Sequence, residues 1–316
     1  MIVTVTPSPS LDLTYELDGL ARGAVNRATA TSVQAGGKGV NVTRALHQQG
    51  LATCAVLPLG GDAGARLARL LDADGLEHLD VPVVGEVRTN VSLVEPDGEV
   101  TKVNDPGREL VAADLDALTR RVRDAVTGAS WLASCGSLPP GAPQDLHGRM
   151  VDVAHERGVR AAVDASGDAL LAALPHRPDV IKPNEHELAE AVGRRVTTVG
   201  EVVAAAVELR DRGVGQVLAS LGADGAVLVD EQGAVHATTA AVRVRSAVGA
   251  GDTLLAGFLA AGADGAEALR RGVAWGTAAA RLPGTSVPAP QDVDLDAVDL
   301  HDPDPDRVLG AARSHE

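Results

Sequence analysis

Ser246-Ala247-Val248-Gly249-Ala250-Gly251-Asp252-Thr253 runs straight into Leu254, Leu255, Phe258 and Leu259, apolar residues spaced to share one helix face. Small residues that end a strand pattern and open a helix are what an α/β sheet places at the carboxyl ends of its strands, where ligands bind. Such a turn aims free backbone amides and the positive end of a helix at an anion. Asp252 then falls in the first helical turn. A carboxylate there repels a phosphate, unless it accepts the proton of a hydroxyl attacking that phosphate. The alternative is an aspartate that only stabilises the helix dipole.

Outward from this turn the same rhythm covers most of the chain. Ile2–Thr6, Thr53–Leu59, Ser130–Cys135, Arg160–Asp164, Val180–Lys182 and Val217–Leu221 read as buried strands. Val111, Leu115, Leu118, Val122 and Val126 form a helical stripe, and Val202–Leu209 begins another. The alternation predicts one α/β domain over residues 1–316, with a mostly parallel central sheet covered by helices on both faces. Two stretches break it, at about 11–33 and 87–104. They read as strands of a small inserted sheet, the second with a hairpin turn at Glu95-Pro96-Asp97-Gly98. The Pro- and Asp-rich tail after Pro283 reads as a surface wrap with little chemistry.

A net charge of −15 excludes a nucleic-acid or anionic-membrane surface, and 1% aromatic residues leaves nothing to stack bases on. No apolar run reaches the ~18 residues of a membrane span. Cys54 and Cys135 are the only cysteines, too few for a disulfide framework or a cysteine metal site. A cytoplasmic enzyme is the expectation. Only three of the 28 basic residues are lysines: Lys38, Lys102 and Lys182. In a chain so biased to arginine, each marks a candidate position for a compact ammonium, with chance placement as the alternative.

Gly36-Gly37-Lys38-Gly39 precedes a second helix, from about Val40 to Gln48. It lacks the spacing and hydroxyl of a nucleotide P-loop. Asn41 would project from the first turn toward a polyol. Asp12 follows the loop Pro7-Ser8-Pro9-Ser10 at a strand end, where a carboxylate suits vicinal sugar hydroxyls or a plain turn cap.

Taken together, "GGKGVNV" (36–42), "SCGSLPPGAP" (134–143), "IKPNEHEL" (181–188) and "SAVGAGDTLLAGF" (246–258) resemble, in order, the signatures of the ribokinase-like sugar kinases, specifically their phosphofructokinase B group. Within that group, "VRTNVSLVEPDGEVTKVNDPG" (87–107) is most similar to the 1-phosphofructokinases. The resemblance implies a ribokinase-like fold with a β-lid, ATP and Mg²⁺, and phosphorylation of fructose 1-phosphate at its C6 hydroxyl. It implies Asp252 as the catalytic base and Gly249, Ala250 and Gly251 as an anion hole. Asp12, Gly37 and Asn41 would hold sugar hydroxyls, and Lys38, Arg88 and Ser137 the acceptor's phosphate. Lys182, Ser220, Gly222, Gly225 and Gly251 would meet the nucleotide, and Asn184 and Glu187 would organise Mg²⁺ through water. The lid strands imply a homodimeric clasp, with Lys102 and Arg27 as candidate bases lent across it.

Two positions depart from the family pattern. Ser8-Pro9 stands where members commonly have Asn-Pro, and 93–103 offers Lys102 as its only strong base. Tagatose 6-phosphate and fructose 6-phosphate kinases of the same group are the rival enzymes, and an inactive sugar-phosphate-binding regulator the rival of a different class. That regulator predicts erosion at Asp252 or its glycines, and none is present. No G-x-S-x-G elbow, no G-x-G-x-x-G after the first strand and no H-x-x-x-H pair supports other chemistry. Trp131 and Trp275 read as core, and His186 as a solvated helix residue.

Overall fold

A computed structural model describes residues 1–310. The chain opens with β1 (Ile2–Val5), then places β2 (Ser10–Glu16) and β3 (Ala30–Gly36) before α1 (Lys38–Gln48). Next come β4 (Thr53–Leu59), α2 (Gly61–Ala73), β5 (His78–Pro82), β6 (Arg88–Val94), β7 (Val100–Val103) and α3 (Ala112–Ala125). The middle contains β8 (Trp131–Cys135), α4 (Leu146–His155), β9 (Arg160–Asp164), α5 (Gly167–Ala173), β10 (Val180–Ile181), α6 (Glu185–Val192) and α7 (Val199–Asp211). It finishes with β11 (Gln216–Ser220), β12 (Ala226–Asp230), β13 (Gly233–Thr239), α8 (Ala250–Ala260), α9 (Gly265–Ala280) and β14 (Val298–His301).

Ten strands form the main sheet in the order β14-β13-β12-β11-β10-β9-β8-β1-β4-β5. From β5 to β11 every pairing is parallel, and β12, β13 and β14 close one edge antiparallel. The seven residues of β4 (TCAVLPL) are all buried, the unbroken apolar run of a strand covered on both faces. Helices α3, α4, α6 and α7 pack one face, where Leu118, Val122, Leu146, Met150, Leu188, Val202 and Leu209 are buried. Against the other face, Leu46 of α1, Phe258 of α8 and Trp275 of α9 are buried with Trp131. No helix among the described residues is long and apolar enough to cross a membrane.

A separate four-stranded sheet, β3-β2-β6-β7, is built from the two inserted stretches, with β2 and β6 parallel and both outer pairings antiparallel. Its hairpin turns where expected: Gly98 N–H donates to Glu95 O at 2.9 Å. Two expectations fail. The strand pattern assumed to lead into the Ser246 turn stops at Thr239. Both sides of β13 are already paired, so residues 240–249 leave the sheet, and Arg245 and Ser246 donate instead to Ala280 O at the end of α9. The tail after Pro283 is also more than a wrap. It supplies β14, and its next turn donates to Asp224 from Arg307 (3.0 Å) and from the Gly310 amide (2.7 Å).

Candidate active site

The helix carrying Asp252 is seated by backbone proximity. A methyl group on Gly272 would lie 2.9 Å from Leu254 O, and one on Gly276 3.1 Å from Ala250 O, so only glycine lets α9 approach α8 this closely. Gly249 caps α8 with φ of 80°. Ala250 N–H leans on Ala247 O at 3.4 Å, while the Gly249 and Gly251 amides donate to nothing among the described residues. A helix start leaves such donors free; of the three amides expected to face an anion, Ala250 is engaged within the turn and Gly249 and Gly251 are not. Lys182 Nζ sits over this turn, 3.5 Å from where a Gly251 methyl would stand.

Asp252 is buried, and Asn41 Nδ2 donates to its Oδ2 at 2.7 Å. Burial, and then repulsion from Asp164, push its carboxyl up to about 6, against the opposing pull of Lys182, Asn41 and Lys38. That is the range of a general base working near neutrality. A carboxylate serving only the helix dipole is favoured by exposure and an ordinary pKa; this one has neither. Asn41 itself is engaged at both ends, since its Oδ1 accepts from Arg44 at 3.1 Å. In this geometry it holds the Asp252 carboxylate, where the sequence suggested a direct polyol ligand.

Lys38, the first residue of α1, reaches Asp164 Oδ1 at 2.8 Å and Glu187 Oε1 at 3.4 Å. Burial opposes its charge, but these two carboxylates more than offset that and hold the ammonium protonated. Lys182 Nζ lies 3.1 Å from the other oxygen, Asp164 Oδ2. Asp164, fully buried at the end of β9, thus bridges two of the three lysines; burial raises its carboxyl, and the pair of ammoniums brings it below the ordinary range. The sequence reading did not single it out. Asp164 ends its strand in "AAVDASG", whereas Asp12, expected at a strand end, is the third residue of β2, because pairing with β3 and β6 starts at Ser10.

Asn184 and Glu187 form a capping box on α6. Asn184 Oδ1 accepts from the His186 and Glu187 amides, and Glu187 Oε2 accepts from the Asn184 amide at 2.9 Å. Their oxygens are committed, and no group of three or more His, Cys, Asp or Glu among the described residues is placed to hold a metal. With these oxygens engaged, a cation would be held here only through water. Ser220 bridges to Asn184 across parallel backbones, which puts the Gly222–Gly225 turn beside it. A side chain on Gly225 would meet Ala237 O at 2.0 Å.

On the acceptor side, Arg88 and Ser137 line one cleft of about 430 Å³ together with Pro139, Gly141 and Gln144. Arg88 Nη2 donates to Ser8 O at 2.9 Å, and its buried Nε has no partner. Asp12 accepts from Ser10 (2.7 Å) and Asn90 (3.0 Å), and its carboxylate leaves no room for a side chain at Gly36. Gly37, with φ of 122°, would drive a Cβ to 2.7 Å from Thr6. The glycines of the Gly36–Gly39 loop thus let α1 approach β1 and Asp12. Lys102 and Arg27 are exposed on the lid and line no part of this cleft.

The chain is similar to known proteins over most of its length. The model of the pfkB family of carbohydrate kinases matches residues 6–292. A 1-phosphofructokinase of Rhodobacter capsulatus is 39% identical over 295 residues, 92% of this chain and 93% of that protein. Another, of Haloferax volcanii, is 40% identical over 297 residues, covering 93% and 95%. The crystal structure of phosphofructokinase-2 from Escherichia coli in complex with potassium superimposes with a TM-score of 0.87 at 34% identity, covering 92% of this chain and 96% of that one.

Proposed function

The chain belongs to the pfkB family of carbohydrate kinases and has its ribokinase-like fold, and from that premise we propose that it transfers the γ-phosphoryl group of ATP to the C6 hydroxyl of fructose 1-phosphate, giving fructose 1,6-bisphosphate. The observation that carries the chemistry is the Asp252 carboxyl, buried and raised to about 6 beside unpaired first-turn amides. Asp252 takes the proton of the attacking hydroxyl as the new P–O bond forms. The Gly249 and Gly251 amides and Lys182 meet the charge that grows on the transferred group.

The acceptor assignment rests on the relatives at 39–40% identity and on the pairing of Arg88 with Ser137 in one cleft. Arg88 brings a guanidinium charge to the wall of that cleft, where a phosphate would be held. Lys38 stands next to this turn, its Cβ 4.0 Å from a methyl placed on Gly136. Mg²⁺ would supply charge neutralisation between the β- and γ-phosphates. The protein's part is Glu187 and Asn184, acting through water. Two ammoniums face three carboxylates in this cluster (Lys38 and Lys182 against Asp164, Glu187 and Asp252), so the residues alone do not neutralise a triphosphate.

The test is ADP release with fructose 1-phosphate, fructose 6-phosphate, tagatose 6-phosphate, fructose and ribose. Fructose 1-phosphate should give the highest kcat/KM; a higher value for either 6-phosphate overturns the acceptor assignment. Turnover should stop in excess chelator and return with Mg²⁺.

A further inference from the structure

His147 plays no part in the chemistry above, yet it is fully buried beneath the acceptor cleft. It lies in the first turn of α4, with Nδ1 2.7 Å from Ser134 Oγ on β8 and Nε2 3.0 Å from Gly136 O. A carbonyl only accepts, so Nε2 carries the proton. Nδ1 is then the acceptor, and the Ser134 hydroxyl donates to it. Both ring nitrogens are satisfied in one tautomer. Burial pushes the imidazole down to about 4, so this tautomer persists at neutral pH.

The other side of the same residue is held too. The Gly136 amide donates to Asp164 O at 2.8 Å, and Gly136 adopts φ of 101°, which only glycine takes without strain. One peptide unit lies between this clamped residue and Ser137, which lines the cleft with Arg88. With no exposed surface, His147 touches no substrate. We propose that His147 is a positioning residue for the acceptor side of the site: through its Nε2–H it fixes the Gly136 carbonyl and so the direction in which Ser137 enters the cleft beside Arg88. Ser134 completes the device by holding the imidazole in the donating tautomer.

The inference rests on the acceptor reading above, and the two fail differently. Steady-state kinetics of the full chain, varying sugar phosphate and ATP separately, would be compared for wild type, His147→Leu, His147→Gln and Ser134→Ala, with thermal unfolding in parallel. Losing one buried hydrogen bond to the turn should raise the KM for fructose 1-phosphate about 10-fold in His147→Leu. The KM for ATP should stay within about 2-fold, because the nucleotide side makes no contact with this bond. Glutamine, whose Nε2 can donate to the same carbonyl, should recover most of the loss, and Ser134→Ala should shift the sugar KM several-fold in the same direction.

Equal rises in both KM values, or a glutamine variant no better than leucine, overturn the proposal. If His147→Leu does not fold, Ser134→Ala decides, and an unchanged sugar KM there overturns it as well. A wild type that ignores fructose 1-phosphate instead defeats the acceptor assignment. The same split is then read on the acceptor it does phosphorylate, or by calorimetric titration of the sugar phosphate without turnover.

Discussion

Asn41 and Asp252 stand 211 residues apart in the chain and 2.7 Å apart in the structure. The amide joins α1 to α8, and it fixes the carboxylate oxygen that faces it. General-base assistance contributes typically 10²–10⁴-fold. Asp252→Asn retains shape and hydrogen-bonding reach and removes proton affinity. It should lower kcat by about 10²-fold or more, with both KM values within a few-fold. An asparagine variant at near wild-type rate would move the base elsewhere.

The pH profile follows from the same pair. With its carboxyl at about 6, Asp252 is mostly protonated below that pH, and a protonated carboxyl cannot serve as the proposed base. kcat/KM should therefore fall about tenfold per pH unit on the acid side. The Asn41 hydrogen bond pulls this value down; removing it in Asn41→Ala should shift the acid limb to higher pH. A limb that stays in place would mean another group titrates.

Stability should run the other way. A carboxyl raised on folding stabilises the protein below its unfolded value, near 4, and loses that contribution as pH rises through about 6. Ionised Asp252 thus costs stability at neutral pH. Asp252→Asn should raise Tm at pH 7.5, with a gain that shrinks toward pH 4. An equal Tm change at both pH values would contradict this.

Lys182 and Asp164 are both buried. Removing one partner of a buried pair strands the other charge, although Lys38 keeps part of its hold on Asp164. Lys182→Met should cost about 2–3 kcal/mol of unfolding free energy, measured by denaturant titration. The double variant Lys182→Met, Asp164→Asn, whose neutral amide still accepts from Lys38, should recover part of it.

The lid leaves β3 and β7 as open edges, and Val100 and Val103 on β7 are 45% and 59% exposed. An isolated small sheet with exposed edges needs cover. The clasp reading predicts a homodimer by sedimentation, turned into a monomer by Val103→Glu. A wild type that sediments as a fully active monomer would remove the clasp.

Much of this architecture was legible because burial on both faces leaves a plain mark. Thr53–Leu59 and Arg160–Asp164 are strands to the residue. The lid announced itself by interrupting the α/β rhythm. What stayed hidden was polar or distant. Val298–His301 alternates buried and exposed over only four residues inside an acidic tail, so it reads as loop until β13 offers an edge. The place of Asp252 at a helix start could be read, yet its raised carboxyl depends on burial in the folded core and then on Asp164, 88 positions upstream. Lys38 and Asn41 stand out as candidates in the sequence, but their partners Glu187 and Asp252 are set by tertiary structure that no local pattern encodes.

The clamp on Asp224 has a consequence for biosynthesis. Asp224 is buried in the turn after β11, and the residues that satisfy it include Arg307, 83 positions later, and Gly310 beyond that. At about 5–20 residues per second, a ribosome needs on the order of 10 s to deliver them. Throughout that interval the nascent turn carries a carboxylate without its partners. The turn after β11 thus matures late in translation, after all the strands from β1 to β13 have been synthesised.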